Sequence, residues 1–450
     1  MNIIILTVDS LRVDHLGISG YHRNTSPNID KLAKDGTFFK NTYSVLPNSD
    51  PAATSILTGL YPATHNIRRV FNNELNPSIS TFQEILKMHN YKTACLKGSI
   101  PYPPGVERGF DDYTNLSWKI RCKFKRGLFK ILNPDNFLSV TQQYTELGMK
   151  WIKKNAKNNF FIDFHFVDLH WPYPIPKPYD HLFDPNYNGK HEFATLGNGK
   201  ILRGDLIFGH VKLPESEVKH AIAHYDGGIK FIDHQIGKML KFLEESGLDE
   251  KTIVVLTADH GESFGEHNYY FEHTSYLYNT NLKVPLIFKN PKVIPKNKII
   301  NSQVQNVDIM PTLLDILKIP LIDKIDGVSL LPLIQGKKEE VREYVFVESG
   351  ENALEQNKRE YFQGIKGKWR AIIKNGWKLI YIPHPENDIF ELYDLENDPN
   401  ETNNIVDKES AIAVELKGKL FEILKPQTNE GKTELSEKSR RLLRKMGYVN

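Results

Sequence analysis

Cysteine is almost missing from this sequence: Cys95 and Cys122 are the only two in 450 residues. Two thiols and no Cys-x-x-Cys pair exclude a disulfide framework and fit free thiols in a reducing compartment. Long hydrophobic runs are missing as well. No stretch reaches the length of a membrane span. The apolar run at the start, residues 3–8, is shorter than a signal-peptide core and has no positive residue before it. A cytoplasmic location is therefore expected. Nor is there a strong excess of charge of either sign. The net charge is +3, which does not point to a nucleic-acid partner. Internal repeats and low-complexity tracts are also lacking.

What remains is an ordinary globular composition, 40% hydrophobic and 25% charged. The length allows one large domain and a smaller one. Two strand-like runs organise the chain. TIVVLT at 252–257 is β-branched, of buried-strand length, and leads into Asp259-His260 and Gly261. Residues 3–8 lead in the same way into Asp9. Reactive groups in open α/β sheets gather at the carboxyl ends of strands. Two carboxylates and an imidazole brought together there can hold one divalent metal.

The segments between alternate helix and strand. Ser26-Pro27 opens a helix that Gly36 closes. In LPNSDPAATSILTGLYP, a short helix begins just after Ser49 and stops at Gly59. Ser49 reads either as the N-cap of that helix or as a nucleophile held where helix N–H groups favour an anion. Residues 80–90 suggest another helix with Ser80 and Gln83 as a capping box. A strand follows over 91–96, and Lys97 at its end is either a solvated lysine or a contact for an anionic substrate.

Residues 116–132 set Leu116, Ile120, Phe124, Leu128 and Ile131 on one helical face, with six Lys and Arg on the rest. Such a helix can dock on the protein with its charged face in water, lie on an anionic membrane, or cover a negative substrate. After a helix over 139–155, FFIDFHFVDLHWPYP reads as a strand ending in a polar cluster of His165, Asp168 and His170. Residues 174–213 form a long excursion of the kind that makes lids. Residues 215–246 read as a helix interrupted at Gly227-Gly228. Past residue 341 short β-like runs suggest a small antiparallel sheet, then a helix over 409–424 and a charged helical tail at 435–448.

Taken together and in order, these motifs resemble the sulfatase family of the alkaline phosphatase superfamily. ILTVDSLRVDHLG, SPNIDKLAKDGTFF, SDPAATSILTGLYP, RGFDDY, VDLHWPY, TADHGESFGEH, KVPLIF, VDIMPTLLDIL, DGVSLLPLI and FELYDLENDPNETNNI each have a family counterpart. The resemblance implies an alkaline phosphatase-like α/β fold: a doubly wound, mostly parallel sheet flanked by helices, with a small C-terminal antiparallel sheet plus helix. It implies a catalytic domain over 1–340 and a C-terminal α+β subdomain with a helical tail over 341–450. It places Asp9, Asp259, His260 and Ser49 on metal-ligand positions, for Ca, Mn, Mg or Zn. Ser49 also falls on the nucleophile position and His170 on that of the acid that protonates the leaving group. Lys97 approximately matches a family lysine, with Arg68 a further basic residue near the transferred group. Asp168 and His273 are further anion contacts or, with His170, ligands of a second metal.

Two departures bear on the chemistry. The family motif Cys/Ser-x-Pro-x-Arg directs oxidation to formylglycine, but its arginine position here holds Ala53. The position after Asp9, often a second aspartate, is Ser10. A formylglycine hydrate expels sulfate through its second hydroxyl; an unmodified serine has no such route, whereas water can still open a serine phosphate. The expected activity is thus metal-dependent hydrolysis of an anionic ester, sulfated or phosphorylated, through a covalent intermediate on Ser49. The alternatives are a phosphodiesterase or phosphotransferase acting on a glycan or lipid headgroup, and a non-catalytic relative that binds anionic glycans.

Overall fold

A computed structural model of the protein describes residues 1–68, 73–98, 101–115, 139–171, 173–188, 213–350, 368–384, 387–408 and 410–424. The basic stretch at 116–132 and the tail at 435–448 lie outside the described residues.

The main elements are β1 (Asn2–Val8), α1 (Pro27–Lys34), β2 (Thr37–Tyr43), α2 (Ser49–Thr58), α3 (Phe82–Met88), β3 (Lys92–Lys97), β4 (Asp112–Thr114), α4 (Val140–Asn155), β5 (Phe160–Phe166), α5 (Glu215–Glu245), β6 (Thr252–Thr257), β7 (Leu286–Lys289), β8 (Lys298–Gln305) and α6 (Ile309–Leu317). The large sheet runs β8-β2-β7-β6-β1-β5-β3-β4. All neighbouring pairs in this order are parallel except those of β7, which is antiparallel to both β2 and β6. This is the doubly wound architecture expected from the sequence.

Alternation along β1 explains the two layers of helices. Ile4, Leu6 and Val8 face one side and pack with residues of α1, α4 and α5. Ile3 and Ile5 face the other and pack with α2, α3 and α6. A strand covered on both faces reads as a near-continuous apolar run, as IIILTV does apart from Thr7.

The small sheet contains β9 (Val345–Glu348), β10 (Arg370–Lys374), β11 (Trp377–Ile382) and β12 (Ile389–Asp394), all antiparallel. One face packs on Tyr43 and Tyr276–Tyr278; the other takes Leu416 and Leu420 of α7 (Ser410–Leu424).

Several local expectations need correction. α5 runs unbroken through Gly227-Gly228. A β-carbon at Gly227 would run into the carbonyl oxygen of Tyr179, so glycine there serves a close approach and not a break. The capping box of α3 is Thr81 with Glu84, one residue later than Ser80 and Gln83. Ser49 is the first residue of α2 and not its N-cap, which is Asn48. Among the described residues, no helix is long and apolar enough to cross a membrane.

Candidate active site

Register brings the distant residues together. Thr7 of β1 pairs with Thr257 of β6 on one side and with His165 of β5 on the other. Two residues past Thr7 and Thr257, the strands release Asp9 and Asp259 side by side. Asp9, Asp259 and His260 are fully buried, and each offers a ligand atom within 4.8 Å of the others. Among the described residues this is the one such group of His, Cys, Asp or Glu.

The backbone between the tips is tightly held. Ser10 adopts φ 63, in the left-handed region. From there its N–H donates to Asp259 Oδ1 (3.3 Å) and its hydroxyl to Asp9 Oδ1 (3.0 Å). The His260 N–H also donates to Asp259 Oδ1, at 2.9 Å. The remaining oxygens, Asp9 Oδ2 and Asp259 Oδ2, are buried without a hydrogen-bond partner. Buried orphan carboxylate oxygens are costly, and a cation is their natural complement. Two carboxylates plus an imidazole suit a divalent ion such as Mg, Mn, Ca or Zn.

Charge balance at the tips is set by the surrounding bases. Burial pushes Asp9 upward, but His165, His170 and His260 outweigh it and hold the carboxyl well below the usual range. Asp259 is also lowered: burial and Asp9 act upward, His260 and His165 downward.

Ser49 sits on the open side of this group. Its neighbours Asn48 and Asp50 are buried, while Ser49 is half-buried. Ser49 Oγ lies 3.0 Å from His260 Nε2. The hydroxyl has no part in capping, which overturns the N-cap alternative.

Beneath the tips lies a layer that the sequence reading only partly reached. Lys97 pairs in register with His165, and its ammonium is 3.2 Å from His165 Nδ1. Lys97 is fully buried, not a solvated lysine, and lies over the Tyr102 ring at 4.4 Å. His165 Nε2 then faces Asp259 Oδ2 at 3.3 Å and Asp9 Oδ2 at 3.6 Å. His165 thus links the buried ammonium to the two carboxylates. A histidine inside a fully buried strand was the signal for it. Asp50, which the sequence reading passed over, lies 3.8 Å from the Lys97 ammonium. Burial raises Asp50 to about 6 against the pull of Lys97 and His165.

The remaining candidates divide. The His273 ring stacks on His260 with centroids 3.8 Å apart, and the His170 ring stands edge-on to His273 at 5.5 Å. His273 Nδ1 is 3.3 Å from Glu262 Oε1, a buried acid that the sequence reading gave no part. His170 therefore lines the same centre and is part-buried. Asp168 instead accepts a hydrogen bond from Thr141 of α4. Asp168, His170 and His273 do not form a second group of that kind among the described residues. Arg68 Nη1 lies 3.8 Å from Glu348 Oε2, at the end of β9 in the small sheet.

The family model described as Sulfatase matches residues 1–319, and that of the C-terminal part of N-sulphoglucosamine sulphohydrolase matches residues 265–426. An arylsulfatase of Clostridium perfringens is 25% identical over 91% of this chain and 90% of its own. Arylsulfatase K of Bos taurus is 26% identical, covering 88% of this chain and 77% of that protein. Among solved structures, the phosphonate monoester hydrolase of Agrobacterium radiobacter superposes with a TM-score of 0.77 at 21% identity, covering 97% of this chain and 98% of that one. A protein solved with its substrate D-glucosamine-2-N,6-O-disulfate superposes at 0.75, also at 21% identity, over 96% of this chain and 99% of its own.

Proposed function

The chain belongs to the sulfatase family, and from that premise we propose that it hydrolyses sulfate esters through a covalent intermediate on Ser49. It is an enzyme, a sulfatase or a related phosphoric ester hydrolase, in keeping with its arylsulfatase and sulfatase relatives. The observation that carries the finer reading is the Ser49 hydroxyl, 3.0 Å from His260 Nε2 at the edge of the Asp9–Asp259–His260 group.

Asp9, Asp259, His260 and Ser49 would hold one divalent ion. Bound there, such an ion polarises an ester oxygen and favours the alkoxide form of Ser49. Ser49 Oγ attacks the sulfur or phosphorus in line; the new bond to Oγ forms as the bond to the alcohol oxygen breaks. His170 delivers a proton to the departing alcohol. The buried Lys97 ammonium offsets negative charge on the transferred group from a fixed position. His165, between Lys97 and the carboxylates, keeps both in place and touches no reacting atom. Water then releases the acid from Ser49. We place the boundary between the catalytic part and the C-terminal subdomain near residue 340.

Ala53 favours a second reading. Without the maturation arginine Ser49 stays a serine, and a serine-bound phosphoryl group is the easier one for water to open. The substrate is then a phosphate ester of a glycan or lipid headgroup. A panel of sulfate, phosphate monoester, phosphodiester and phosphonate esters separates the two. We expect turnover in the metal-loaded protein and its loss in Ser49→Ala by about three orders of magnitude or more. Undiminished turnover in Ser49→Ala removes the covalent mechanism.

A further inference from the structure

His165 stands between an ammonium and two carboxylates, and the backbone around it is fixed. Lys97, His165 and Thr7 form one row across β3, β5 and β1, each paired with the next in register. Thr7 is two residues before Asp9. Just past this row β3 and β5 approach closely. The Gly98 N–H donates to His165 O at 2.8 Å, and a β-carbon at Gly98 would lie 2.6 Å from that oxygen. The Tyr144 hydroxyl of α4 donates to Lys97 O at 2.7 Å. The Tyr102 ring that covers the Lys97 ammonium is itself held, its hydroxyl donating to Asp163 Oδ2 at 2.8 Å. Lys97 and His165 are both fully buried.

What lies behind each imidazole decides where its proton sits. An ammonium can only donate, so His165 Nδ1, 3.2 Å from Lys97 Nζ, accepts. The ring proton is then on Nε2, which faces Asp259 Oδ2 at 3.3 Å and Asp9 Oδ2 at 3.6 Å. These are the two carboxylate oxygens without a hydrogen-bond partner, and His165 Nε2 has none either. At such distances the N–H completes a bond to neither oxygen and is shared between them. His260 Nε2 faces the same carboxylates, 3.6 Å from Asp9 and 3.8 Å from Asp259. Behind it, however, is a carbonyl: Gly261 O, 2.8 Å from Nδ1. Its Nε2 therefore presents a lone pair.

We propose that the two imidazoles have opposite duties: His260 is a ligand of the ion, and His165 is a positioning residue that cannot be one. Lys97 keeps His165 in the donor tautomer. The Nε2–H, shared by Asp9 and Asp259, holds their carboxylates at a spacing that accepts one cation. The inference deepens the one-ion reading above and rests on it. Two carboxylates buried side by side repel each other, and Asp9 acts on Asp259 in that sense. A donor shared between them offsets the repulsion and leaves both charges for the ion. Groups that orient metal ligands in this way change affinity by about ten- to a hundredfold when removed. Lys97 thus reaches the centre through a ring as well as through space.

The test uses the full chain, stripped of metal and titrated calorimetrically with Mg, Mn, Ca and Zn ions. His165→Leu should weaken binding of the tightest ion at least about tenfold. His165→Gln should stay within about threefold, because its Oε1 can accept from Lys97 while its Nε2 donates to the carboxylates. Nitrogen-15 NMR of histidine-labelled protein reads the tautomer, with His165→Gln assigning the signal. We expect the His165 proton on Nε2 both before and after Zn is added. A proton on Nδ1, or an Nε2 that gives up its proton to Zn, overturns the assignment while the one-ion reading stands. Wild-type affinity in His165→Leu also overturns it, as does a Gln variant as weak as the Leu variant. Should His165→Leu fail to fold, the Gln variant and the wild-type spectrum still decide. If none of the four ions binds, the one-ion reading fails and the assignment with it. If the ion binds as expected but no ester is turned over, the hydrolase reading fails and the assignment stands.

Discussion

Ser49 Oγ lies 3.0 Å from His260 Nε2, while the other ring nitrogen of His260 is 2.8 Å from the carbonyl oxygen of Gly261. A carbonyl can only accept, so His260 Nδ1 carries the proton and Nε2 presents its lone pair. The backbone therefore fixes the tautomer that a metal or a hydroxyl needs. Nucleophile and ligand are set as a pair.

With Ala53 at the arginine position, we expect the peptide containing Ser49 to have the mass of an unmodified serine. Mass spectrometry of the digested protein checks this. A loss of two hydrogens, the signature of formylglycine, would show that maturation proceeds without the arginine.

The orphan oxygens of Asp9 and Asp259 predict how the protein responds to metal. Chelation should abolish turnover and lower the melting temperature. A saturating divalent ion should restore both, with stabilisation of about 2.7 kcal/mol at a hundredfold excess over Kd. Asp259→Asn removes one of the two carboxylates while keeping the size of the side chain. Its thermal shift on adding metal should vanish. A full shift in Asp259→Asn removes this residue from the ligand set.

His65 makes stability pH-dependent. Its Nδ1 accepts from the Ile67 N–H, and Nε2 lies 3.0 Å from Ser55 Oγ, so the ring is held neutral. Burial, joined by the Arg68 charge, lowers it to about 3. The unfolded chain takes up a proton near about 6.5 that the folded chain refuses. This contribution is thus complete above about pH 6.5 and is lost as the pH falls toward about 3. Urea midpoints from about pH 7.5 to 4.5 should drop more steeply in the wild type than in His65→Gln. Parallel curves would refute the assignment.

Gly227→Ala tests the close approach of Tyr179 to α5. The added methyl should cost about 1–3 kcal/mol, read by urea denaturation, with helical content by circular dichroism unchanged. A stabilised variant would mean that the two glycines do weaken the helix.

The amino-acid sequence by itself determined the strands that end at Asp9 and at Asp259-His260, the helix–strand alternation and the change of texture at the C-terminal sheet. Each is a local pattern of alternation, apolar run length or punctuation, and a local pattern needs no partner to be read. It misplaced Ser49 by one helical position and took Gly227-Gly228 for a break, because capping and close approach depend on what lies opposite. Only the tertiary structure decided that Lys97 meets His165, that Asp168 turns to Thr141 and that Arg68 faces Glu348. Those contacts follow from register between strands and from the docking of one sheet on another. A chain carries its own periodicity along its length, but which distant segment will lie beside it is settled only when both are buried together.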